Sequence, residues 1–357
     1  MHEEIIDPPE PTPDWERARR CARVLRAAGH EAWAVGGAVR DHLLGLPVHD
    51  VDLCTDAAPE QVVDLFARAL TVGSRFGVVV VVDEQDDGHT EVASYRSDRA
   101  YVDGRHPSGV DLADQASDVQ RRDFTINALL LDPLDGRLRD LVGGRADLRR
   151  RILRCIGDPM ARLQEDRLRI LRGMRFAAHL DLRVDAATER AMRTVELYGV
   201  SPERLLQEWC KSLDHAAGWR WVDLLRASPQ CAAFGLDRDV LQPYPASAWD
   251  SGGGLLVRSV AVLVRWDPPT CAAWFARALP WSRAQRRGAI WLREALARCG
   301  DLDAVQTLAD MHDPAVADLD VLIRMQVAAG LLDADMAAAW RRALSIQGRR
   351  GPPDLPD

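Results

Sequence analysis

The sequence predicts an α+β protein in which a mixed α/β head precedes an all-α remainder. Short apolar runs alternate with helical patterns up to about residue 142, and one of these runs is five consecutive valines at 78–82. An unbroken run of β-branched residues is typical of a strand buried on both faces. After about residue 143 strand patterns almost vanish, and long segments follow the 3.6-residue period of helices. The strand and helix patterns before residue 142 and the helical patterns after it together predict the fold class.

Each part contains several predicted elements. The strands expected in the first part are 32–35, 50–54, 78–82 and 91–95. The helices expected there are 14–28, 38–45 and 59–69, the last with a proline in its first turn. The helices expected in the second part are 158–180, 185–197, 201–213 and 286–299. Nine of the 11 tryptophans follow residue 200, and most are predicted to anchor a core between helices.

The chain is predicted to consist of four segments. Residues 1–13 are acidic and proline-rich, without the basic and apolar stretches of a signal peptide, and predict a disordered lead-in. The head is expected at 14–142, a helical neck at 143–215, and a helical body and tail at 216–350. No apolar run approaches the roughly 20 residues of a membrane-spanning helix. Seven scattered cysteines without a CxxC pair suit reduced thiols, so a cytoplasmic location is expected.

Charge is distributed unevenly along the chain. The formal net charge is −8, which by itself argues mildly against a nucleic-acid partner. Residues 121–175 nevertheless contain 14 arginines against 8 acidic residues. A local basic stretch matters more for phosphate contact than the total charge does. This stretch therefore predicts contact with a phosphate-bearing partner.

A double glycine follows the first predicted strand and opens the next helix. Gly36 and Gly37 in this position would present backbone N–H groups to an anion. Arg40, one turn into the helix, can add a charge-assisted contact. Tight strand-to-helix turns are common, so the glycines alone are a weak signal.

Two aspartates on the following strand strengthen that signal. Asp50 and Asp52 are two residues apart, so their side chains point to the same face of a strand. Two carboxylates so placed repel each other unless cations lie between them, and magnesium ions are the natural partner. The pair therefore predicts a two-metal site for phosphoryl transfer. The alternative is a pair of solvated aspartates at a strand end, which the preceding Gly-Gly-x-x-Arg-Asp turn disfavours.

Five motifs together resemble those of a known family. The first is GGAVRDHLLGLPVHDVDLCTDAAPE at 36–60. The others are EVASYRSDRAYVDGRHP (91–107), RRDFTINAL (121–129), EDRLRILRGMRFAA (165–178) and SPERLLQEWCKSL (201–213). Their types and order resemble class II tRNA nucleotidyltransferases and bacterial poly(A) polymerases. The resemblance covers about residues 30–215, and no motif is recognised beyond it.

The resemblance implies a role for each matching residue. Asp50 and Asp52 would be the ligands of two Mg²⁺ ions, and Glu91 would be the third catalytic carboxylate. The residues that would bind the triphosphate end of a nucleotide are Gly36, Gly37, Arg40 and Asp41. Those that would meet its sugar and phosphates are Arg122, Asp123 and Asn127. Asp166 and Arg169 would face the base, and Arg175 would also belong to the nucleotide site.

The base-facing pair also has a physical interpretation. On a continuous helix Asp166, Arg169 and Gly173 would share one face beside an apolar stripe. Arginine donating to a ring nitrogen and aspartate accepting from an amino group suits cytosine and adenine. Uracil and guanine present the reverse order and would leave buried polar groups unpaired. The alternative is an ordinary salt bridge on a solvated helix.

The activity implied by the resemblance is addition of CCA to tRNA 3′ ends from CTP and ATP, with tRNA recognised by its shape. No membrane contact and no obligatory protein partner are expected. Between Arg96 and Arg121 lie 24 residues, including 103–107, so the loop that is shortened in CC-adding relatives has no apparent deletion. Four alternatives stay open: an enzyme adding only A or only CC, a poly(A) polymerase, a non-catalytic RNA-binding relative, and a small-molecule nucleotidyltransferase.

Overall fold

The computed structural model describes residues 2–72, 77–98, 110–249, 254–297 and 315–332, together with residues 334, 337 and 338. The chain forms two compact units. The first comprises Met1–Arg169 and Leu182–Val195, and the second comprises Ile170–Asp181 and Glu196–Asp357. The mixed head and mostly helical remainder expected from the sequence are confirmed. The four predicted segment boundaries stay a prediction.

The described part of the first unit contains strands β1–β12. They are His2–Ile5, Trp33–Val35, Asp52–Thr55, Ala69–Val72, Val78–Val82, His89–Ser94, Arg96–Asp98, Val110–Leu112, Leu130–Leu131, Arg137–Asp140, Ile152–Leu153 and Arg183–Val184. Its helices α1–α6 are Pro13–Ala27, Gly37–Leu43, Pro59–Leu65, Gln115–Gln120, Gly144–Arg149 and Pro159–Glu165. A 3₁₀ turn occupies Thr125–Asn127, α7 is Leu168–His179, and α8 is Ala186–Thr194.

An eight-stranded sheet of order β1-β10-β9-β2-β3-β6-β5-β4 organises the first unit. Strands β3 and β6 pair in parallel, and the other neighbours pair antiparallel. Two smaller sheets join β7 to β8 and β11 to β12. The β11–β12 pair lies within the predicted neck, so that segment is not purely helical as expected. Each of these two strands is only two residues long, which is too short to leave a sequence pattern.

The predicted disordered lead-in is wrong for residues 2–5. They form β1, which pairs antiparallel with β10 at the edge of the sheet. The Glu3 carboxylate accepts from the Arg139 guanidinium at 2.5 Å, and the Ile6 N–H donates to the Gly136 carbonyl. Main-chain pairing at a sheet edge needs no apolar pattern, so composition does not reveal it. After this strand, Thr12 accepts from the Trp15 N–H and caps α1.

The valine strand β5 is also buried differently from the prediction. Its residues alternate, with Val79 and Val81 buried and the other three partly exposed. An alternating pattern means that one face of β5 packs on the core and the other does not. The run of identical residues hid this alternation because valine tolerates both environments.

The second unit is helical in its described residues. After α7 come α9–α15: Pro202–Leu213, Gly218–Arg226, Ala246–Trp249, Leu255–Val262, Pro268–Arg277, Arg283–Ala297 and Ala315–Ala328. A 3₁₀ helix occupies Pro229–Phe234. Trp209 is buried, with its ring centroid 5.6 Å from that of Trp221 and 5.3 Å from that of Trp274. Its indole N–H donates to Ser259 Oγ at 3.0 Å. The prediction that tryptophans anchor this core is confirmed for these three.

Gly144 provides a test of how tightly the 3₁₀ turn is packed. A β-carbon at Gly144 would lie 2.1 Å from the Thr125 carbonyl oxygen, which cannot move without displacing the turn. Gly144→Ala is therefore expected to lower the free energy of unfolding by about 1–3 kcal/mol. Gly254→Ala is the control, because no described atom lies within 4 Å of its added carbon. Denaturant unfolding that gives both variants equal stability losses would contradict this packing.

Candidate active site

The predicted carboxylates lie at the start of β3 and at the matching level of β6. Asp52 is the first residue of β3 and lies opposite Val35, the last residue of β2. On the other side Leu53 pairs with Val92 in parallel register, so Asp52 and Glu91 are at the same level. Asp50 precedes the strand, which starts two residues later than the predicted 50–54. Asp50 and Asp52 are exposed while Val51 and Leu53 are buried, which agrees with the predicted common face.

Electrostatics at Asp52 favour a bound cation. Desolvation, followed by repulsion from Glu91 and Asp50, raises the pKa of Asp52 to about 6 from an ordinary value of 3.8. Arg122 and His89 oppose that rise. Within the described residues, no cluster of three or more His, Cys, Asp or Glu side chains is gathered to hold a metal. The repulsion of Asp52 by Glu91 and Asp50 is nevertheless what a divalent cation would relieve, so the chemistry of these oxygen donors fits such an ion.

The double glycine forms the turn that the sequence predicts. Gly36 has φ +81° and ψ −137°, a conformation that side chains of L-residues strongly disfavour, and Gly37 begins α2. Because Gly36 follows Val35 directly, the turn lies beside Asp52.

Arg40 belongs to a hydrogen-bonded chain of predicted site residues. Its side chain is largely buried and donates to both carboxylate oxygens of Asp41 at 2.8 Å and to Asn127 Oδ1 at 2.7 Å. The Asn127 amide in turn donates to Asp123 at 3.2 Å. The structure thus brings together four residues from two motifs that are more than 80 positions apart. Their contacts fix the Arg40 guanidinium in place.

Asp118, which the sequence analysis missed, forms ion pairs with the two arginines that begin the motif at 121–129. The Asp118 carboxylate is buried and accepts from Arg121 at 2.6 Å through Oδ1 and from Arg122 at 2.8 Å through Oδ2. Burial by itself would favour the neutral acid, but Arg122 and Arg121 lower the pKa of Asp118 below its ordinary value. Spacings of three and four residues on a helix are the signal that could have revealed both ion pairs.

The predicted continuous helix 158–180 is wrong. It is broken between α6 and α7, and Asp166 has an extended backbone with φ −141° and ψ 102°. The Asp166 carboxylate accepts from the Leu168 N–H at 3.1 Å, at the first turn of α7. The 100° periodicity therefore does not set the direction of Asp166. The apolar stripe concealed the break because it continues on both sides of it.

Arg169 is held by several acceptors. Its guanidinium donates to Glu165 at 2.8 Å, to the Arg162 carbonyl at 2.9 Å and to the Arg121 carbonyl at 2.9 Å. Only 8% of Arg169 is exposed. Glu165, which the sequence analysis did not select, is thus the carboxylate that pairs with Arg169. An arginine fixed in this way keeps its orientation when a base binds.

Arg175 and the loop segment 103–107 were also predicted to take part in the site, and neither is among the residues described above. Arg175 lies in the second unit, where its guanidinium donates to the buried Glu208 carboxylate at 2.8 Å and lies 4.6 Å from the Phe176 ring centroid. The loop segment 103–107 lies outside the described residues. The described base of that loop is the antiparallel pair β7–β8.

Two cavities lie away from these residues. One, of about 240 Å³, is lined by α1 residues including Arg17 and Cys21, and the other, of about 350 Å³, by residues including Leu138 and Arg149. Neither is lined by a predicted site residue. No helix of the described residues combines the length and apolarity needed to span a bilayer.

Comparisons with known proteins show what parts of the chain are similar to. Residues 32–154 match the poly(A) polymerase head domain. Over 210 residues the chain is 41% identical to a CCA-adding enzyme of Streptococcus pyogenes, a match that covers 58% of this chain and 51% of the relative. The chain therefore spans about half the length of the curated relatives that it matches. Within the first unit, residues 32–154 therefore resemble a poly(A) polymerase head domain.

Solved structures extend the likeness beyond the head. A Bacillus stearothermophilus CCA-adding enzyme, solved in complex with CTP, matches with a TM-score of 0.77 and 28% identity over 94% of this chain and 83% of that one. A Thermotoga maritima CCA-adding enzyme, solved with tRNA, shares the fold with a TM-score of 0.67 and 19% identity over 93% and 82%. The chain is thus similar to the poly(A) polymerase head domain over residues 32–154 and to CCA-adding enzymes over most of its length.

Proposed function

We propose that this protein adds CCA to tRNA 3′ ends from CTP and ATP without a nucleic-acid template, releasing pyrophosphate. The observation that carries the proposal is the presence, in one compact unit, of two groups. One is the carboxylate row of Asp50, Asp52 and Glu91, in which the other two carboxylates repel Asp52, and the other is the Asp166–Arg169 segment with its fixed guanidinium. The first suits phosphoryl transfer, and the second suits base selection.

The reaction is attack of the RNA 3′-hydroxyl on the α-phosphorus of the bound nucleotide. Two Mg²⁺ ions held by Asp50 and Asp52 would supply acidity to the attacking hydroxyl and charge stabilisation to the leaving group. The N–H groups of Gly36 and Gly37 and the Arg122 guanidinium bind the triphosphate, while Arg40 and Asp41 support that end. Asp123 and Asn127 bind the sugar, and their mutual hydrogen bond orients them.

Selection of C and A follows from the chemistry of two side chains. Arg169 donates to the ring nitrogen of either base, and Asp166 accepts from the exocyclic amino group. Uracil and guanine would place a carbonyl against the Asp166 carboxylate, so that two acceptors face each other. They would also place a ring N–H against the Arg169 guanidinium, so that two donors face each other. The acceptors around Arg169 leave it little freedom to adapt to such a mismatch. One amino-acid pair thus performs the discrimination that a template strand performs elsewhere.

Two relatives support the substrate assignment. The CCA-adding enzyme with the TM-score of 0.77 binds CTP, and another of the same fold was solved with tRNA. For the present chain, we propose tRNA, CTP and ATP as partners. The arginine-rich stretch 121–175 would contact the RNA backbone, and the reaction would take place in the cytoplasm. Arg175, held by Glu208, stays a prediction as a nucleotide-binding residue.

One assay distinguishes an enzyme that adds the full CCA from one that adds only A or only CC. We expect labelled CTP to be incorporated into tRNA lacking all three terminal nucleotides, followed by one AMP when ATP is present. The basis is the 24-residue connection between Arg96 and Arg121, which has no apparent deletion. No CTP incorporation, with efficient single ATP addition to tRNA ending in CC, would contradict full CCA addition and favour the A-adding alternative.

A further inference from the structure

The Asp118 carboxylate lies at the centre of contacts that reach three parts of the candidate site. It lies on α4, is 1% exposed, and uses a different oxygen for each of Arg121 and Arg122. None of the roles proposed above is assigned to it. A carboxylate with almost no exposed surface and two arginine partners has its geometry fixed from both sides.

One partner leads to the nucleotide site. Arg122 directly precedes Asp123, whose carboxylate accepts from the Asn127 amide, and Asn127 Oδ1 in turn accepts from Arg40. Arg122 therefore lies next to residues that are proposed to bind the nucleotide. Its hydrogen bonds to Asp118 Oδ2 hold it in that position.

The other partner leads to the base-facing segment. The Arg121 carbonyl accepts from Arg169 at 2.9 Å, and the neighbouring Gln120 carbonyl accepts from Arg162 at 2.6 Å. The Arg121 guanidinium also donates to the Arg96 carbonyl at the start of β7, which leads into the loop. Arg169 is thus hydrogen-bonded to the C-terminal end of α4, and the ion pair between Asp118 and Arg121 holds that end in place.

We propose that Asp118 is a positioning residue that sets both nucleotide affinity, through Arg122, and base selection, through Arg121 and Arg169. This proposal rests on the proposed function, since it names a further residue of the same site. Neither effect requires Asp118 to touch the nucleotide. Loss of its charge would release two arginines at once, one near the phosphates and one beneath the base-reading guanidinium.

The chain contains a matched control for burial and charge. Asp132 is fully buried in the same unit and forms ion pairs with two arginines, Arg26 and Arg137. It lies just after β9, and neither arginine is among the residues proposed to bind the nucleotide. Asp132→Asn therefore reproduces the stability cost of removing such a carboxylate without altering the proposed link to the nucleotide.

The test compares steady-state kinetics of Asp118→Asn and Asp132→Asn with CTP and UTP on tRNA lacking CCA. Asp118→Asn is expected to raise KM for CTP by about tenfold or more and to raise UTP incorporation relative to CTP. Asp132→Asn should lower thermal stability while KM and the CTP preference stay at wild-type values. Wild-type KM and preference in a folded Asp118→Asn variant would overturn the proposal.

Single arginine variants keep the proposal testable if Asp118→Asn does not fold. Arg121→Gln should weaken the preference for CTP over UTP with little change in KM, and Arg122→Gln should raise KM with the preference retained. An unchanged preference in Arg121→Gln would overturn the link to Arg169. Calorimetric binding of CTP without RNA separates the two hypotheses. If the wild type binds CTP but does not extend tRNA, the proposed function fails, while a tenfold weaker Kd in a folded Asp118→Asn variant still supports positioning.

Discussion

Asp52→Asn is expected to reduce nucleotide addition by at least about 10³-fold, a loss of roughly 4 kcal/mol of transition-state stabilisation. Asp50→Asn should have an effect of the same order. Both residues lie at or just before the start of β3, where partial desolvation and repulsion between carboxylates raise the pKa of Asp52. Single-turnover addition of CMP to tRNA measures the effect. Near wild-type turnover in either variant would remove that residue from the metal site.

The same substitution is expected to stabilise the fold when no divalent ion is present. Because the folded-state pKa of Asp52 is about 6, above its ordinary value of 3.8, ionisation above that pH costs folding free energy. Asp52→Asn removes this cost, so its Tm in EDTA at neutral pH should exceed that of the wild type. The advantage should disappear as the pH falls through about 4, where the wild-type carboxyl is neutral in both states.

A matched control separates this effect from loss of surface charge. Asp87 is an exposed carboxylate with φ +56° that pairs with the exposed Arg68, and asparagine tolerates that backbone conformation. Asp87→Asn should leave both turnover and Tm close to wild type. A comparable rise in Tm for both variants would mean that general charge, rather than the carboxylate row, explains the stabilisation.

Arg169→Ala is expected to blur base selection rather than only weaken binding. Loss of one contact pair should cost about 1–3 kcal/mol of discrimination, or about 5- to 150-fold in the ratio of kcat/KM for CTP over UTP. Asp166→Asn tests the partner while keeping an oxygen that can accept from the Leu168 N–H. Its amide adds donors that can pair with the uracil carbonyl, so UTP use should rise.

Arg193→Ala serves as the control for these base-selection variants. Arg193 is exposed and pairs with Glu189 four residues away on α8, as the alternative interpretation assumed for Asp166 and Arg169. The CTP preference of Arg193→Ala should equal that of wild type. If Asp166→Asn and Arg169→Ala also refuse UTP and GTP as firmly as wild type, both residues are structural only.

The sequence predicted those parts of the fold that depend on local patterns. The glycine turn at 36–37 and the alternation of Asp50, Val51 and Asp52 were predicted because backbone conformation and strand periodicity are local properties. Strand β1 was missed because its pairing with β10 depends on the main chain of a distant segment. The break before α7 was missed because apolar spacing continues through it.

The candidate site shows the same division between local and distant information. The motifs identified Arg40, Asn127 and Asp123, but only the folded chain shows that Arg40 donates to Asn127 from 87 positions away. Asp118 has a local signal in its spacing to the following arginines, yet its link to Arg169 passes through a main-chain carbonyl. No side-chain pattern encodes such a contact. The catalytic and nucleotide-binding roles of these residues stay predictions until variants are measured.

Sequencing the 3′ ends of tRNA after reaction is the most direct test of the central claim. The substrate would be tRNA ending at the discriminator base, incubated with the purified protein, magnesium and all four nucleotides together. Template-independent CCA addition predicts that the products end in CCA and that extension stops there, because one site selects C and A. Long runs of A, or uridine and guanosine incorporated at frequencies close to their supply, would contradict it.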